Sequence, residues 1–150
     1  MRILSFLALA VLLQAPAAHA QVRGDAAVIV ELMQDFGLPA TLETDTEGDP
    51  MIDSRIDGTH FSVYFYQCDP ICASVQLSAG FDLARPLPLE RVNEWNRDRR
   101  FGKVFVDSSG DPFIEMDIGL ADDGVGRKNF DDALETWRVL LSEFRDFIDW

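Results

Sequence analysis

The sequence predicts an α+β domain built on an antiparallel sheet, with its elements in the order α-β-β-β-β-α-β-β-α. Three observations predict this class. Three segments carry apolar residues at helical spacing, two neighbouring segments alternate with period two, and one turn motif, Gly-Asp-Pro, occurs twice beside short strands. The chain of 150 residues is long enough for one domain with one core.

The N-terminus has the pattern of an export signal. Arg2 supplies a positive charge, an apolar run of about 11 residues follows, and Ala18-His19-Ala20 forms a small-x-small cleavage site. The apolar run is shorter than the roughly 20 residues of a membrane-spanning helix. We therefore expect residues 1–20 to be a cleaved signal peptide and residues 21–150 to be a single periplasmic or secreted domain.

The composition is strongly acidic, with a formal net charge of −13 at pH 7. A net anion repels nucleic acids and anionic lipid surfaces, so neither is expected as a partner of the whole domain. No second apolar run reaches membrane length, and we expect no integral membrane contact.

The first helix is predicted from Asp25 to Phe36. Asp25 can cap its N-terminus, and Gly37 before a Leu-Pro pair is a stop signal. Apolar residues recur along it at helical spacing, and these are Val28, Ile29, Leu32, Met33 and Phe36.

The clearest strand pair runs from His60 to Cys68 and from Cys72 to Phe81. Pairing the two cysteines across the turn places apolar residues opposite one another on one face: Phe65 with Val75, Val63 with Leu77 and Phe61 with Ala79. A slip of one residue would place apolar side chains opposite polar ones, so the register is well specified. Both cysteines are predicted on the polar face, and Pro70 favours a loop wider than three residues.

The motif Gly-Asp-Pro-apolar-Ile-acid occurs at residues 48–53 and again at residues 110–115. A short strand is predicted before each copy, from Ala40 to Asp45 and from Lys103 to Asp107, so each copy predicts a hairpin that turns at an acidic loop. The carboxylates of these loops also invite a calcium interpretation. Neither loop has the twelve-residue pattern of a helix-flanked calcium site, and hairpin turns use the same residue types.

Two further helices are predicted. The first runs from Pro88 to Arg100, and its inward residues are Leu89, Val92 and Trp95. The second closes the chain, with Asn129 as its cap and apolar residues at spacings of three and four. These residues are Phe130, Leu134, Trp137, Leu141, Phe144 and Ile148.

Cys68 and Cys72 are the two cysteines of the chain. A disulfide is their expected state in an exported protein. A redox pair would be more natural as Cys-x-x-Cys, and a metal site would need two ligands besides the cysteines, whereas His60 is the one histidine left after signal cleavage. We therefore expect a structural disulfide, with neither a metal nor a cofactor.

The sequence contains no nucleophile, metalloprotease or phosphate-binding motif. Pairs of carboxylates arise by chance among 26 acidic residues, so their presence does not indicate an enzyme. We predict that the protein is not an enzyme and that it has no catalytic residues.

Residues 91–103, here called the basic segment, hold five of the 13 Lys and Arg residues of this acidic chain. Positive charge at a helix end offsets the helix dipole, and Trp95 would then be a core residue. Alternatively, the segment receives an anionic ligand or an acidic protein segment. The candidate binding residues are Asn93, Trp95, Asn96, Arg97, Arg99, Arg100 and Lys103.

The C-terminal helix carries several large aromatic residues. Most of them should belong to the core, but a stripe this wide can also leave an exposed apolar strip for a partner or a second copy of the chain. The candidate interface residues are Trp137, Phe144, Phe147 and Trp150.

Several of these segments together resemble the YbjN family, whose members are described as bacterial sensory transduction regulators. The resemblance covers nearly all of residues 21–150, and its most specific part is Val92-Asn93-Glu94-Trp95-Asn96. Its other parts are Gly48-Asp49-Pro50, Tyr64-Phe65-Tyr66, Cys68 with Cys72, Phe81-Asp82, Arg100-Phe101, Gly110-Asp111-Pro112 and the helix with Trp137 and Phe144. Residues 121–124 depart from the family pattern, where a Gly-Gly pair is expected.

The resemblance implies a fold like that of type III secretion chaperones and non-enzymatic protein binding. We therefore favour an exported, chaperone-like regulator that binds a protein partner or forms a homodimer. The alternative is a periplasmic small-ligand sensor or minor hydrolase, with a closed pocket around Trp95, Arg99, Tyr64 and His60.

Overall fold

The computed structural model describes residues 21–150, and the predicted signal peptide lies outside the described residues. The elements occur in the following order: β1 (Gln21–Val22), α1 (Ala26–Phe36), β2 (Ala40–Thr44), β3 (Pro50–Ile56), β4 (Thr59–Cys68), β5 (Cys72–Gly80), α2 (Leu89–Asp98), β6 (Lys103–Val106), β7 (Pro112–Gly119), β8 (Val125–Gly126) and α3 (Arg127–Ile148).

Six strands form one antiparallel sheet in the order β2-β3-β4-β5-β7-β6, and the two-residue strands β1 and β8 pair separately. The predicted α+β class and element order are confirmed, with β1 and β8 as additions. Alternate residues of β3, β4 and β7 are buried, so the sheet has one apolar face and one polar face. No helix within residues 21–150 is long and apolar enough to cross a membrane.

The three helices pack on the apolar face of the sheet. The ring of Trp137 in α3 meets Phe61 of β4 edge to face, with 5.7 Å between the ring centroids. The six predicted core residues of α3 are all buried, as are Ile29 and Met33 of α1. We call this side of the sheet the helix face and the opposite side the open face.

The helix ends follow their local signals only in part. The Asp25 carboxylate accepts hydrogen bonds from the backbone N–H groups of Ala27 and Val28, and Gly37 ends α1 with φ +97°, as predicted. The predictions for α3 and α2 were less accurate. Asn129 is not the cap of α3, because the helix begins earlier, and Leu89 is 68% exposed rather than inward, because it lies in the first turn of α2.

The hairpin of β4 and β5 has the predicted register, with Phe65 opposite Val75. Cys68 pairs with Cys72 and the two form a disulfide, so the loop has three residues and is not wider. Cys72 was predicted on the polar face of the hairpin, and it is nevertheless only 4% exposed. Its backbone N–H donates to the carbonyl oxygen of Gly24 at 3.1 Å, so the N-terminal segment covers this end of β5.

The two Gly-Asp-Pro loops have the same construction. The carboxylate of Asp45 accepts from the backbone N–H groups of Glu47 and Asp49, at 2.9 and 3.0 Å. Asp107 does the same for Ser109 and Asp111, at 2.8 and 2.9 Å. In both loops, an aspartate carboxylate holds its own backbone, which is the hairpin role predicted for these residue types.

Candidate functional site

The central residues of the basic segment join α2 to the sheet. The indole Nε1–H of Trp95 donates to the carbonyl oxygen of Gly102 at 3.0 Å, and the side chain is 1% exposed. The Asn96 amide donates to the carbonyl oxygen of Val104 and accepts from its N–H, both at 2.9 Å. Trp95 and Asn96 therefore hold α2 against β6, and neither is free for a ligand.

Two arginines of the basic segment have acidic partners within the fold. Arg97 binds the carboxylate of Asp98 at 2.7 Å, which raises the pKa of Arg97 and lowers the pKa of Asp98 through their hydrogen bond. The guanidinium of Arg99 lies 2.9 Å from the carboxylate of Glu143 in α3. The positive charge of each of these two arginines is therefore balanced by a neighbouring carboxylate.

The remaining candidates point to different parts of the surface. Arg100 and Lys103 form no ion pair within residues 21–150. Arg100 lies beside the ring of Phe101, whereas Lys103 lies opposite Glu115 on the open face. Asn93 is exposed on α2. The basic segment therefore does not bring its candidate residues together in one site.

The aromatic residues of the C-terminal helix do not form a continuous exposed strip. Trp137 and Phe144 have no exposed surface, and Phe147 is partly buried under the guanidinium of Arg91, which lies 3.7 Å from its ring centroid. Trp150 is 53% exposed and meets Phe81 edge to face. Of the four candidate interface residues, only Trp150 presents a large apolar surface.

The closed pocket of the alternative hypothesis is contradicted by the fold. Trp95 packs against Phe144 on the helix face, with 4.9 Å between their centroids. Tyr64 and His60 alternate with the buried residues of β4, so they lie on the open face, and His60 Nδ1 is 3.7 Å from the Asp53 carboxylate. The sheet separates the two pairs of side chains, because residues of opposite parity on a strand face opposite ways.

An unpaired strand edge lies next to the basic segment. β6 has four residues and pairs with β7 only from Pro112 to Glu115, whereas β7 continues to Gly119. Leu120 N–H donates to the carbonyl oxygen of Ala73 at 2.8 Å, so even-numbered residues of this strand direct their backbone groups towards β5. The backbone groups of Asp117 and Gly119 point away from β5, because successive residues of an antiparallel strand direct their hydrogen bonds to opposite sides.

Asp117 and Gly119 are exposed, and their backbone groups on this side have no strand partner in the part of the chain that the structure describes. β6 cannot continue alongside them, because the chain turns at Gly102, whose φ is +69° and whose carbonyl is held by Trp95. A short, open β-edge results.

Two adjoining hollows lie beside this edge: the larger lies between β7 and α3, and the smaller lies between residues 99–101 and α3. The larger, of about 460 Å³, is lined by Phe101, Met116, Asp117, Ile118, Gly119, Val125, Asn129, Asp132, Ala133 and Thr136. The smaller, of about 290 Å³, is lined by Arg99, Arg100, Phe101, Glu135, Thr136, Val139 and Leu140. Phe101 lines both and is 50% exposed. We call the free edge of residues 116–119 and the two hollows together the edge groove.

A chain of hydrogen bonds on the open face ends at the free edge. The Tyr66 hydroxyl donates to the Gln76 amide oxygen at 3.2 Å, and the Gln76 amide nitrogen donates to the Asp117 carboxylate at 3.1 Å. Burial, followed by the nearby Glu115 and Asp117 carboxylates, raises the pKa of Tyr66. Asp117 is thereby held in a set orientation beside the unpaired backbone.

Glu115 lies on the same face, two residues before Asp117. Ser78 Oγ–H donates to its carboxylate at 3.3 Å. Burial and the neighbouring Asp117 raise the pKa of Glu115, against the opposing effect of the Ser78 hydrogen bond. Two carboxylates therefore lie close together on the open face of β7, with Lys103 opposite Glu115.

The edge groove was not among the sites predicted from the sequence. One sequence feature could have indicated the free edge. The predicted strand before the second Gly-Asp-Pro motif is shorter than the apolar segment after it, so the longer strand has no partner along part of its length. The hollow itself depends on where α3 crosses the sheet, which strand patterns do not specify. No cluster of three or more metal-ligating side chains occurs among residues 21–150.

Comparison with known proteins gives one match. No curated protein and no solved structure matches the chain, so the expected likeness to type III secretion chaperones stays a prediction. A family model does match over residues 25–150, which covers every element from α1 to α3. The chain therefore belongs to the YbjN family, whose printed description is "Putative bacterial sensory transduction regulator".

Proposed function

We propose that the protein is an exported regulatory binding module that takes up an extended polypeptide segment in the edge groove. One observation carries the proposal: the backbone groups of Asp117 and Gly119 are exposed and unpaired directly beside an apolar hollow. The family description is that of a regulator and not of an enzyme, which agrees with a binding function.

A ligand strand added at this edge would find partners for its backbone and a pocket for its side chains. Its backbone would bond to Asp117 and Gly119, and every second side chain would enter the hollow formed by Met116, Ile118 and Phe101. Backbone bonds of this kind supply affinity, and the pockets for alternate side chains supply specificity. An exposed edge of a soluble domain otherwise invites unwanted pairing, so leaving one open favours a binding role.

The test is to remove the backbone donor of Gly119. Gly119→Pro deletes the outward N–H, whereas Gly119→Ala keeps it and adds a Cβ that meets no atom within 4 Å. A peptide selected from a displayed random library against the unaltered domain is the probe. We expect Gly119→Pro to weaken its binding about tenfold and Gly119→Ala to leave it unchanged.

Hydrogen exchange gives a second measurement. The amides of Asp117 and Gly119 should exchange rapidly in the free domain and slowly in the peptide complex. Equal affinity of both Gly119 variants, together with protection at some other part of the surface, would refute the edge groove as the binding site.

The exported location belongs to the same proposal. It is supported by the signal pattern of residues 1–20 and by the pairing of Cys68 with Cys72, since disulfides persist in oxidising compartments. A domain outside the cytoplasm that binds extended segments would act on envelope or secreted proteins, and this is the chaperone-like role that we propose.

A further inference from the structure

We propose that the segment bound in the edge groove carries a lysine or arginine opposite Asp117, between two apolar residues. This inference rests on the proposed function and specifies the chemistry of its ligand.

The Asp117 carboxylate is oriented before any ligand arrives. Gln76 donates to one of its oxygens and is itself held by the Tyr66 hydroxyl, so the carboxylate stands at the free edge in a restricted position. It has no cationic partner within residues 21–150. An oriented acceptor gains more from an incoming cation than a mobile one, because less side-chain entropy is lost on binding.

The paired part of β6 provides the pattern that an added strand would continue. It places Lys103 opposite Glu115 on the open face and the buried Val104 opposite Ile114 on the helix face. Further along the same line, the residue opposite Asp117 would face the open side, and its two neighbours would face the hollow. The expected ligand pattern is therefore apolar-basic-apolar.

The charge beside Asp117 favours this ligand over a second copy of the chain. The larger hollow, which Asp117 lines, also contains Asp132 and no basic residue, whereas the smaller hollow contains Arg100 and Arg99, the latter paired with Glu143. Two copies paired through this edge would bring two Asp117 carboxylates near each other, on chains that each carry a net charge of −13. Like charges across strands are destabilising, whereas opposite charges contribute to pairing.

The experiment compares three blocked peptides that differ at one position, Ser-Val-Lys-Val-Ser and its Gln and Glu counterparts, each within the same Gly-Ser flanks. Their affinities for the domain are measured by fluorescence anisotropy at low and high salt. We expect the Lys peptide to bind about fivefold more tightly than the Gln peptide, and the Glu peptide to bind most weakly. High salt should reduce these differences.

Variants of the domain identify the carboxylate. Asp117→Asn should abolish the preference for Lys over Gln, and Asp117→Lys should reverse the order of the Lys and Glu peptides. Glu47→Gln removes the same charge from a distant exposed loop and should leave the order unchanged.

Each other outcome decides against at least one of the two proposals. Equal binding of the three peptides, lost in Gly119→Pro but kept in Gly119→Ala, would overturn the basic ligand and leave the edge groove in place. Absence of binding to all three peptides and to any library peptide would overturn both. A dimer in sedimentation that dissociates in Gly119→Pro would show that the occupant is a second copy.

Discussion

Asn93 and Asn96 lie one turn apart in α2, but only Asn96 connects this helix to the sheet. Its amide forms two hydrogen bonds with the backbone of Val104, whose side chain is buried in the core. Asn93 is exposed and its side chain forms no hydrogen bond in the described part of the chain. Two identical residues in one motif therefore have different physical roles.

Replacing each asparagine by alanine should separate these roles. Asn96→Ala leaves the N–H and the carbonyl of Val104 without their partner, which should lower the free energy of unfolding by about 2 kcal/mol. Asn93→Ala should change it by less than about 0.5 kcal/mol, as an exposed substitution usually does. Urea unfolding of both variants measures the difference, and equal effects would contradict the assignment.

The repeated hairpin loops show how surroundings alter one element. Gly48 and Gly110 have φ values of +96° and +87° in loops with matching hydrogen bonds. A Cβ on Gly48 would meet no atom within 4 Å, whereas one on Gly110 would overlap with Pro86. The second loop is packed against the connection between β5 and α2, where the N–H of Leu87 donates to the Gly110 carbonyl oxygen.

Alanine at the two glycines should therefore have unequal effects. Gly48→Ala should cost about 1 kcal/mol, the penalty for a side chain in the left-handed region. Gly110→Ala carries the same penalty and an overlap that adds about 1–3 kcal/mol. Thermal unfolding of the two variants provides the measurement. If both substitutions lowered stability by the same amount, the contact with Pro86 would not restrict the side chain at position 110.

At the scale of the whole molecule, the protein is strongly acidic. The net charge of −13 repels anionic surfaces and favours the basic ligand that we propose. The three helices cover one face of the sheet, so the open face, the free edge of β7 and the outer edge of β2 are the parts of the sheet left for partners.

Export predicts a processed N-terminus. In a bacterial host, the protein recovered from the periplasmic fraction should begin at Gln21 and contain no thiol that reacts before reduction. Ala18→Leu should block cleavage, because signal processing requires small residues at this position. Intact mass measurement of both proteins, before and after reduction and alkylation, is the test. A full-length cytoplasmic protein with free thiols would contradict it.

The sequence by itself determined the α+β class, the helix caps at Asp25 and Gly37, the strand register of Phe65 with Val75, and the family. These features depend on local periodicity, turn chemistry and cross-strand pairing, all of which can be read over short stretches of the chain.

Only the tertiary structure decided which surface is free. The sequence left a core role and a ligand-binding role open for Trp95 and Asn96, and the structure shows that they hold a helix to a strand. Asp117 and Gly119 were not candidates from the sequence. Whether a backbone group is paired depends on where its neighbouring strand ends. Here that point is set by the turn at Gly102, which the packing of Trp95 holds in place.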